Sequence, residues 1–499
     1  MYKIDHYIGG QTVAATSGRT APIYDPSNGT VQGEVGLACK IDINLAVTVA
    51  SEAFETWSDV GLMKRVSIMF KFRELLEKNR DELCRHVVKE HGKVWDDAMG
   101  EITRGIEIVE NACGIPEMLK GDYSQQVGDG IDVYSTRQAL GVGCSITPFN
   151  FPAMVPLWTI PLAIACGNTF ILKPSERDPS CANVMARLFS EAGLPDGVFN
   201  VVHGDKVAVD CILEHEGIEA VSFVGSTPVA EYIYHLGTAN NKRVQALGGA
   251  KNHAIIMPDA DIDQAVDAMI GAAFGSAGER CMALSVAVVV GNDIADEMIN
   301  KIKYQAINIK VGCGMVTDNE MGPLITKEHC DRVKRLISEG QGQGAKVVLD
   351  GREFEGPKGN KNGYFCGPTI LDNVTKDMSV YKEEIFGPVL VVVRVESYDE
   401  AVKLVQNHEY GNGTCIFTRD GDIARNFTRK IKVGMVGVNV PLPVPLAFHS
   451  FGGWKRSIFG DHHMYGPEGV RFWTKIKTVT SRWPTSIMAG ANLSFPSSD

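Results

Sequence analysis

Between residues 130 and 440 the chain alternates short apolar runs with segments of helical periodicity. A strand that is apolar along its whole length is buried on both faces, which is typical of parallel sheets covered by helices. The alternation therefore predicts an α/β fold in which parallel sheets are built from βαβ units. The clearest strand-like runs are GNTFILKP, AVSFVG, NHAIIMP, LSVAVVVG and PVLVVVRV.

The segments on either side of this region follow other patterns. Residues 41–125 place apolar side chains at helical spacing with polar faces between them, which predicts several amphipathic helices. Residues 130–148 alternate like a strand, and residues 472–483 predict one more strand, which must pair with a distant part of the chain. A chain of 499 residues is too long for one core, so we expect two or three domains.

Composition excludes several classes of function. The net charge of −11 argues against nucleic acid as the main partner. No apolar run is long enough to span a bilayer, and the start MYKIDHYIGGQTV does not resemble a signal peptide. The twelve cysteines are scattered without a C-x-x-C pair, which is typical of reduced thiols and predicts a cytoplasmic protein. His462 and His463 have no third ligand nearby, so we predict no metal site.

A nucleotide site is the first functional candidate of an α/β chain, but the usual glycine fingerprint is absent. The near match GQGQGA (340–345) follows a helical pattern and precedes a strand, which is the reverse of the required order. A better candidate is Gly225 and Ser226, where a strand ends and Ser226-Thr227-Pro228 opens a helix. Free N–H groups at such a helix start can hold a pyrophosphate, although an ordinary strand–turn–helix has the same local sequence.

A second candidate lies in NTFILKPSERDPS (168–180), where Lys173 and Glu176 follow a buried strand. A carboxylate at that edge of a sheet can accept both hydroxyls of an adenosine ribose, and it would repel a 2′-phosphate. The pair therefore favours NAD over NADP. A lysine and a glutamate in a loop also occur without any ligand.

Cys281 is the candidate nucleophile. A free cysteine is most often a small buried hydrophobic residue. The neighbouring Arg280 could lower the pKa of its thiol, although consecutive residues of a helix do not face each other. Local sequence alone leaves both interpretations open.

Six motifs taken together favour the interpretation of Cys281 as a nucleophile. Their order and spacing resemble those of the aldehyde dehydrogenase superfamily over nearly the whole chain. The resemblance implies an aldehyde dehydrogenase-like α/β fold with a Rossmann-type cofactor domain, an α/β catalytic domain and small β bridging segments. The motifs are SITPFNFPAMVPLW (145–158), ILKPSE (171–176), FVGSTPVA (223–230), AGERC (277–281), EEIFGPVL (383–390) and FGGWKRS (451–457).

The resemblance also implies roles for individual residues. Cys281 matches the nucleophile that attacks the aldehyde carbon, and Asn150 matches the amide that forms the oxyanion hole with the Cys281 backbone N–H. Two preorganised donors of this kind each stabilise a developing alkoxide by roughly 3–4 kcal/mol. The implied NAD contacts are Phe149, Lys173, Glu176, Arg177, Gly225, Ser226, Glu384 and Phe386.

One departure from the family pattern predicts the acyl acceptor. Hydrolytic members carry a glutamate in an LELGGK-type motif, but VQALGGAKNHAI (244–255) has Ala246 or Leu247 there, and Gln245 cannot act as a base. General-base help to water is worth about 10²–10⁴-fold, whereas a thiol is strongly nucleophilic with less help. We therefore expect coenzyme A, rather than water, to take the acyl group.

Further motifs resemble the CoA-acylating branch of the superfamily, which converts malonate and methylmalonate semialdehydes to acetyl-CoA and propionyl-CoA with oxidation and decarboxylation. The branch implies two arginines as partners of the substrate carboxylate, and Arg104 and Arg280 match them. Arg104 could instead pair with Glu101 or Glu107 on its own helix. These motifs are GAKNH, GERCMALS, GMVGVNVPLPVP, SFGGWKRSIFGD and TKIKTVTSRW.

Two alternatives remain open at this point: a hydrolytic NAD-dependent dehydrogenase that uses another base, and a catalytically silent relative that acts as a binding or structural protein. The resemblance implies a homo-oligomer, either a dimer or a tetramer. The expected organisation is an NAD-binding domain (1–123 and 142–250), a catalytic domain (251–460) and bridging segments (124–141 and 461–499).

Overall fold

The computed structural model describes residues 1–354, 356–357 and 360–483. Its strands are β1 (Tyr2–Ile4), β2 (His6–Ile8), β3 (Gln11–Val13), β4 (Thr20–Asp25), β5 (Thr30–Gly36), β6 (Tyr123–Gly128), β7 (Ile131–Ala139), β8 (Val142–Ile146), β9 (Thr169–Lys173), β10 (Phe199–Val201), β11 (Ile218–Val224), β12 (Arg243–Leu247), β13 (Asn252–Ile256), β14 (Leu284–Val290), β15 (Lys346–Leu349), β16 (Thr369–Asp372), β17 (Val389–Val395), β18 (Tyr410–Gly411), β19 (Gly413–Phe417), β20 (Met435–Val438), β21 (Trp454–Lys455), β22 (Ile458–Phe459) and β23 (Thr474–Arg482).

The helices of the same part of the chain include the amphipathic set predicted for residues 41–125. They are α1 (Lys40–Trp57), α2 (Leu62–Lys78), α3 (Arg80–His91), α4 (Trp95–Cys113), α5 (Ile115–Met118), α6 (Met154–Ala165), α7 (Ser180–Glu191), α8 (Lys206–Glu214), α9 (Thr227–Ala239), α10 (Ile262–Phe274), α11 (Asn292–Ile307), α12 (Lys327–Gly342), α13 (Ser379–Lys382), α14 (Tyr398–Asn407), α15 (Gly421–Lys430) and α16 (Gly466–Phe472).

The first large sheet has eight strands in the order β22-β12-β11-β8-β9-β10-β2-β3. Its five central strands are parallel, and β2, β3 and β22 add antiparallel edges. Every residue of β8 and β9 is buried, because helices cover both faces of the sheet. This confirms the parallel arrangement predicted from the apolar runs.

The second large sheet has seven strands in the order β15-β16-β17-β14-β13-β19-β20. All neighbouring pairs are parallel except β15 with β16. Its core is separate from that of the first sheet and is rich in valine and isoleucine. The two sheets supply opposite walls of the crevice described below.

The third sheet is small and antiparallel, with the order β23-β7-β6. The strand predicted within 472–483 is β23, and it pairs with β7 from Thr474 opposite Ala139 to Arg482 opposite Ile131. Most residues of β6 and β23 are exposed in the single chain. Residues 484–499, which the predicted bridging segment includes, lie outside the described part of the chain.

None of the helices in the described residues is both long enough and apolar enough to cross a bilayer.

Candidate active site

A crevice of about 560 Å³ separates the first two sheets. Its walls combine strand ends and helix starts of the eight-stranded sheet with loops of the seven-stranded sheet. Of the twelve residues that the sequence predicts for the site, seven line this crevice: Phe149, Asn150, Gly225, Ser226, Cys281, Glu384 and Phe386.

Cys281 follows a turn with unusual backbone geometry. Ser276, Ala277 and Gly278 have φ values of 53°, 51° and 74°, the left-handed region that L-residues avoid. Left-handed geometry costs roughly 1–2 kcal/mol for each residue other than glycine. A Cβ at Gly278 would lie 2.1 Å from the carbonyl oxygen of Gly387, so only glycine allows this approach of the two loops. The turn is therefore held by its surroundings.

Three asparagines supply part of that support. The side-chain amides of Asn252 and Asn412 donate to the Cys281 carbonyl at 2.9 and 3.0 Å. The amide Nδ2 of Asn150 donates to the Glu279 carbonyl at 3.1 Å and lies 3.9 Å from the Cys281 Sγ. These bonds fix the backbone on both sides of the sulfur and leave one amide beside it.

The Glu279 side chain ties the same turn to the start of α12. It is fully buried, and its Oε1 accepts a hydrogen bond from the Ile325 N–H at 3.2 Å. Nε2 of His91 and Nε2 of His329 lie 3.6 and 3.7 Å from its two oxygens. Burial raises the pKa of the Glu279 carboxyl well above its usual value.

The Cys281 thiol is poorly ionised in this environment. Burial raises its pKa to about 11, and the Asn150 amide opposes that shift. The thiol form therefore predominates at neutral pH, and attack on a carbonyl requires loss of its proton. Arg280 gives no counter-charge, because its guanidinium is turned to Asp97.

Asn150 is positioned by a buried ion pair that the sequence did not reveal. Lys93 Nζ donates to the Asn150 carbonyl at 2.6 Å and to Glu101 at 2.8 Å. Glu101 Oε1 accepts from the backbone N–H groups of Ala153 and Met154 at 2.8 and 3.1 Å. The available signal was Glu101 alone, a carboxylate on the buried side of α4, where an unpaired charge is costly. Lys93 lies in the loop between α3 and α4, where no helical pattern marks it.

The cofactor end of the crevice is built around the start of α9. Ser226 is the N-cap residue, but its hydroxyl makes no capping hydrogen bond, so it does not cover the first-turn N–H groups of the helix. The Thr227 hydroxyl accepts instead from the Gly249 N–H at 2.8 Å and binds the two walls together. An uncapped helix start that faces a cavity suits an anionic group such as a pyrophosphate.

Glu384 and Phe386 approach from the opposite wall. Glu384 Oε1 accepts from the Ala250 N–H at 3.0 Å, and burial raises the pKa of its carboxyl to about 7. Phe386 has a φ of 57°, and its carbonyl accepts from the His329 ring at 2.6 Å. Its ring meets Phe149 edge to face, with centroids 6.0 Å apart. His329 also lines the crevice and was missed by the sequence.

The three remaining cofactor residues lie beyond the crevice lining. Lys173 ends β9 and Gly225 follows β11, and both strands neighbour β8, so the residues lie at one edge of the sheet. Lys173 Nζ lies 3.4 Å from Glu176, and Arg177 Nε lies 3.9 Å from Glu176. These contacts are compatible with a ribose-binding edge.

Neither predicted carboxylate-binding arginine lines the crevice. Arg104 pairs with Glu107 and donates to the Pro445 carbonyl at 2.7 Å. Arg280 pairs with Asp97 and donates weakly to the Gly271 carbonyl at 3.3 Å. Both partners are carboxylates of α4, and the pairing of Arg104 with Glu107 is one of the contacts that the sequence had left open.

The stretch that lacks a catalytic glutamate is fully engaged in the sheet. Ala246 lies in β12 opposite Phe223 and Phe459 and is completely buried. The Gln245 amide donates to the carbonyls of His462 and His463, and its oxygen accepts from Ser222. Glu384 is therefore the carboxylate of raised pKa that reaches the crevice among the described residues.

The comparisons with known proteins agree with this geometry. Residues 12–479 match the aldehyde dehydrogenase family, and the chain belongs to that family. This confirms the predicted fold. Within the family, a malonate-semialdehyde dehydrogenase of Pseudomonas aeruginosa is 56% identical over the full length of both chains. One from Halalkalibacterium halodurans is 48% identical and covers 96% of this chain and 98% of its own.

Solved structures show the same similarity in three dimensions. A methylmalonate-semialdehyde dehydrogenase from Oceanimonas doudoroffii has a TM-score of 0.96 and 56% identity, covering 97% of this chain and 99% of its own. A Sinorhizobium meliloti structure complexed with NAD has a TM-score of 0.96 and 54% identity, covering 98% of this chain and 99% of its own.

Proposed function

We propose that this chain is an NAD-dependent, CoA-acylating dehydrogenase of malonate semialdehyde, methylmalonate semialdehyde or both. The observation that carries the proposal is the composition of the crevice. Cys281 and Asn150 meet there, while Gln245, Ala246 and Leu247, from the stretch that carries the catalytic glutamate in hydrolytic members, supply no carboxylate and are not among its lining residues. The names of the similar proteins point to the same substrates.

The first step is attack of the Cys281 sulfur on the aldehyde carbon. The S–H proton is lost to solvent water, the S–C bond forms as the carbonyl π electrons move to oxygen, and the Asn150 amide and the Cys281 N–H donate to that alkoxide. Lys93 and Glu101 act indirectly, because they hold the backbone around Asn150. The protein therefore supplies donors already oriented before charge develops.

The crevice also fits NAD. The uncapped start of α9 suits its pyrophosphate, Glu384 lies where a ribose hydroxyl can donate, and the Phe149 and Phe386 rings offer apolar surface. When bound, NAD accepts hydride from the carbon attached to Cys281. The resulting acyl group remains on the Cys281 sulfur as a thioester.

Loss of the substrate carboxylate can follow at this stage. The C–C bond breaks, CO₂ leaves, the electron pair passes into the thioester as an enolate, and the oxyanion donors stabilise that charge before solvent protonates the carbon. The CoA thiol then attacks the acyl carbon, the Cys281 sulfur leaves, and the proton of the CoA thiol passes to it. Acetyl-CoA or propionyl-CoA is the expected product.

Recognition of the substrate carboxylate is proposed for Arg104 and Arg280. Each guanidinium already holds a carboxylate of α4, so the substrate must join or replace Glu107 or Asp97. Arg104→Leu tests the assignment: the preference for malonate semialdehyde over propanal should fall sharply. A variant that keeps this preference would contradict it.

The decisive experiment is steady-state turnover of both semialdehydes with and without CoA, with product analysis. We expect acyl-CoA formation and little free acid when CoA is omitted. The rival function, hydrolytic oxidation, would draw on Glu384, whose pKa of about 7 suits a general base. Full-rate NADH formation without CoA, with release of the free acid, would establish the rival.

We also propose a domain organisation, an oligomeric state and a cellular location for the chain. The division into NAD-binding, catalytic and bridging parts has support from the eight-stranded sheet, the seven-stranded sheet and the small β23-β7-β6 sheet. A homo-oligomer has support from the two open edges of the small sheet and from the exposed Ile476 and Trp483. Sedimentation equilibrium would distinguish monomer, dimer and tetramer. Reduced thiols are consistent with the proposed cytoplasmic location, since none of the twelve cysteines forms a disulfide.

A further inference from the structure

A second cavity, of about 470 Å³, adjoins the crevice on the side of the seven-stranded sheet. Its walls come from the segment around α13 and from α14, and they carry three lysines: Lys376, Lys382 and Lys403. We call it the lysine cavity. Lys382 and Glu409 line both the lysine cavity and the crevice of Cys281, so the two spaces share part of one wall.

The three lysine ammonium groups of the lysine cavity are free of ion pairs among the described residues, although the chain as a whole has a net charge of −11. The two carboxylates of the cavity have other contacts. Glu409 pairs with Arg456 at 2.7 Å, and Glu400 accepts from the Glu396 N–H at 3.0 Å at the start of its own helix.

The floor of the cavity offers little else for a ligand to bind. The Tyr381 hydroxyl bonds to the His253 ring at 3.0 Å. The His408 ring nitrogens are used by the Tyr381 carbonyl and the Tyr410 N–H at 3.3 and 3.2 Å. Besides the Asn407 amide, the ammonium groups are the main groups left for recognition in this cavity, and they suit a ligand with several phosphate charges.

We propose that the lysine cavity binds the phosphate groups of coenzyme A, with its pantetheine arm directed along the shared wall to Cys281. This inference rests on the proposed function. The NAD pyrophosphate is expected at the opposite wall, at Gly225 and Ser226, so it and the phosphates of CoA have separate sites. The two substrates then compete only near Cys281.

The test compares CoA with pantetheine, which carries the same thiol without phosphates, in the Lys376→Glu/Lys403→Glu double variant. Exposed charge pairs contribute modestly, but two reversals should raise the KM for CoA by about tenfold or more. The KM for pantetheine should change by less than about twofold, because the pantetheine arm has no charge to lose. Dephospho-CoA, assayed alongside, shows whether the 3′-phosphate is one of the bound groups.

Lys303→Glu is the matched control, because Lys303 is an exposed helical lysine on α11 away from both cavities. It should leave the KM for CoA unchanged. The inference is overturned if the double variant binds CoA normally, if pantetheine is affected equally, or if the dissociation constant of NAD rises as much as the KM of CoA.

Failure of the proposed function has a different signature. In that case the wild-type protein would form no thioester with either CoA or pantetheine. Thioester formation with an unchanged KM for CoA in the double variant would leave the function intact and refute only the lysine cavity as the phosphate site.

Discussion

Two turns border the crevice, and they are built on opposite principles. The turn before α9 has ordinary helix-start chemistry, with Ser226 at the N-cap and Pro228 in the first turn. The turn before Cys281 has left-handed residues at Ser276 and Ala277 and close backbone contact at Gly278. The first follows from local preferences, whereas the second opposes them.

Distant contacts explain how the second turn persists. Asn150, Asn252 and Asn412 come from three separate segments and bond to the backbone around Cys281. Such geometry persists only where the surrounding structure imposes it, and it is concentrated at functional sites. The turn at Ser226 needs no comparable support, so substitutions should have much larger effects at the Cys281 turn.

The largest effect is expected for Cys281→Ser. Serine keeps the size of the side chain but is a far weaker nucleophile without an adjacent base, so kcat should fall by about 10⁴-fold or more. NADH formation measures the loss. Binding of NAD, followed by fluorescence, is the control and should persist. Substantial remaining turnover would place the nucleophile elsewhere.

Asn150→Ala should rank second. It removes one of two donors to the alkoxide, and loss of such a donor costs about 10²–10³-fold in kcat. Single-turnover NADH formation measures the step directly. If only KM changed, Asn150 would bind substrate without stabilising charge.

The pH dependence of alkylation tests the environment of the Cys281 sulfur. Only the thiolate reacts, and a pKa of about 11 means that its fraction rises throughout the neutral range. The rate of iodoacetamide labelling at Cys281 should rise about 100-fold from pH 7 to pH 9. Site-resolved mass spectrometry separates it from the other partly exposed thiols. A rate that levels off below pH 8 would show that the sulfur is activated in the free protein.

Asn252→Ala sharpens the comparison by removing support without touching the reacting atoms. Its amide donates to the Cys281 carbonyl at 2.9 Å, and its side-chain oxygen accepts from the buried Gly413 N–H at 3.0 Å. The variant leaves the Cys281 carbonyl with the Asn412 donor alone and removes the acceptor of the Gly413 N–H, and an unsatisfied buried polar group costs about 1–3 kcal/mol of folding free energy. We expect a decrease in unfolding free energy of that size and a fall in kcat of about tenfold. Denaturant unfolding measures the decrease in unfolding free energy. If neither the unfolding free energy nor kcat changed, the turn before Cys281 would keep its geometry without the Asn252 hydrogen bond.

The smallest effect is expected for Ser226→Ala. Because the Ser226 hydroxyl makes no capping bond, the unfolding free energy should change by less than about 0.5 kcal/mol. Ser397→Ala is the matched control, since Ser397 caps α14 by accepting from the Glu400 N–H at 3.3 Å and should cost about 1 kcal/mol. Equal losses in the two variants would contradict a free helix start at the cofactor site.

The sequence predicted much of the fold and part of the site. Periodicity predicted the parallel sheets, and the alternation in 472–483 predicted a strand with a distant partner, which is β7. It could not identify Lys93, Glu101 or His329 as site residues, because their neighbours come from other segments. It also left open whether Arg104 binds the substrate carboxylate or pairs with Glu101 or Glu107 of its own helix; in the structure its side chain contacts Glu107, and the substrate role stays a prediction.

What the sequence determined by itself is therefore local: which residues are apolar, where strands and helices begin, and which chemical groups are available. Those properties depend on side chains a few positions apart. Only the tertiary structure decided that a left-handed turn carries Cys281 and that burial raises the pKa of its thiol to about 11. Both depend on excluding water and on hydrogen bonds from residues far away in the chain, and such contacts exist only once the two large sheets have packed together.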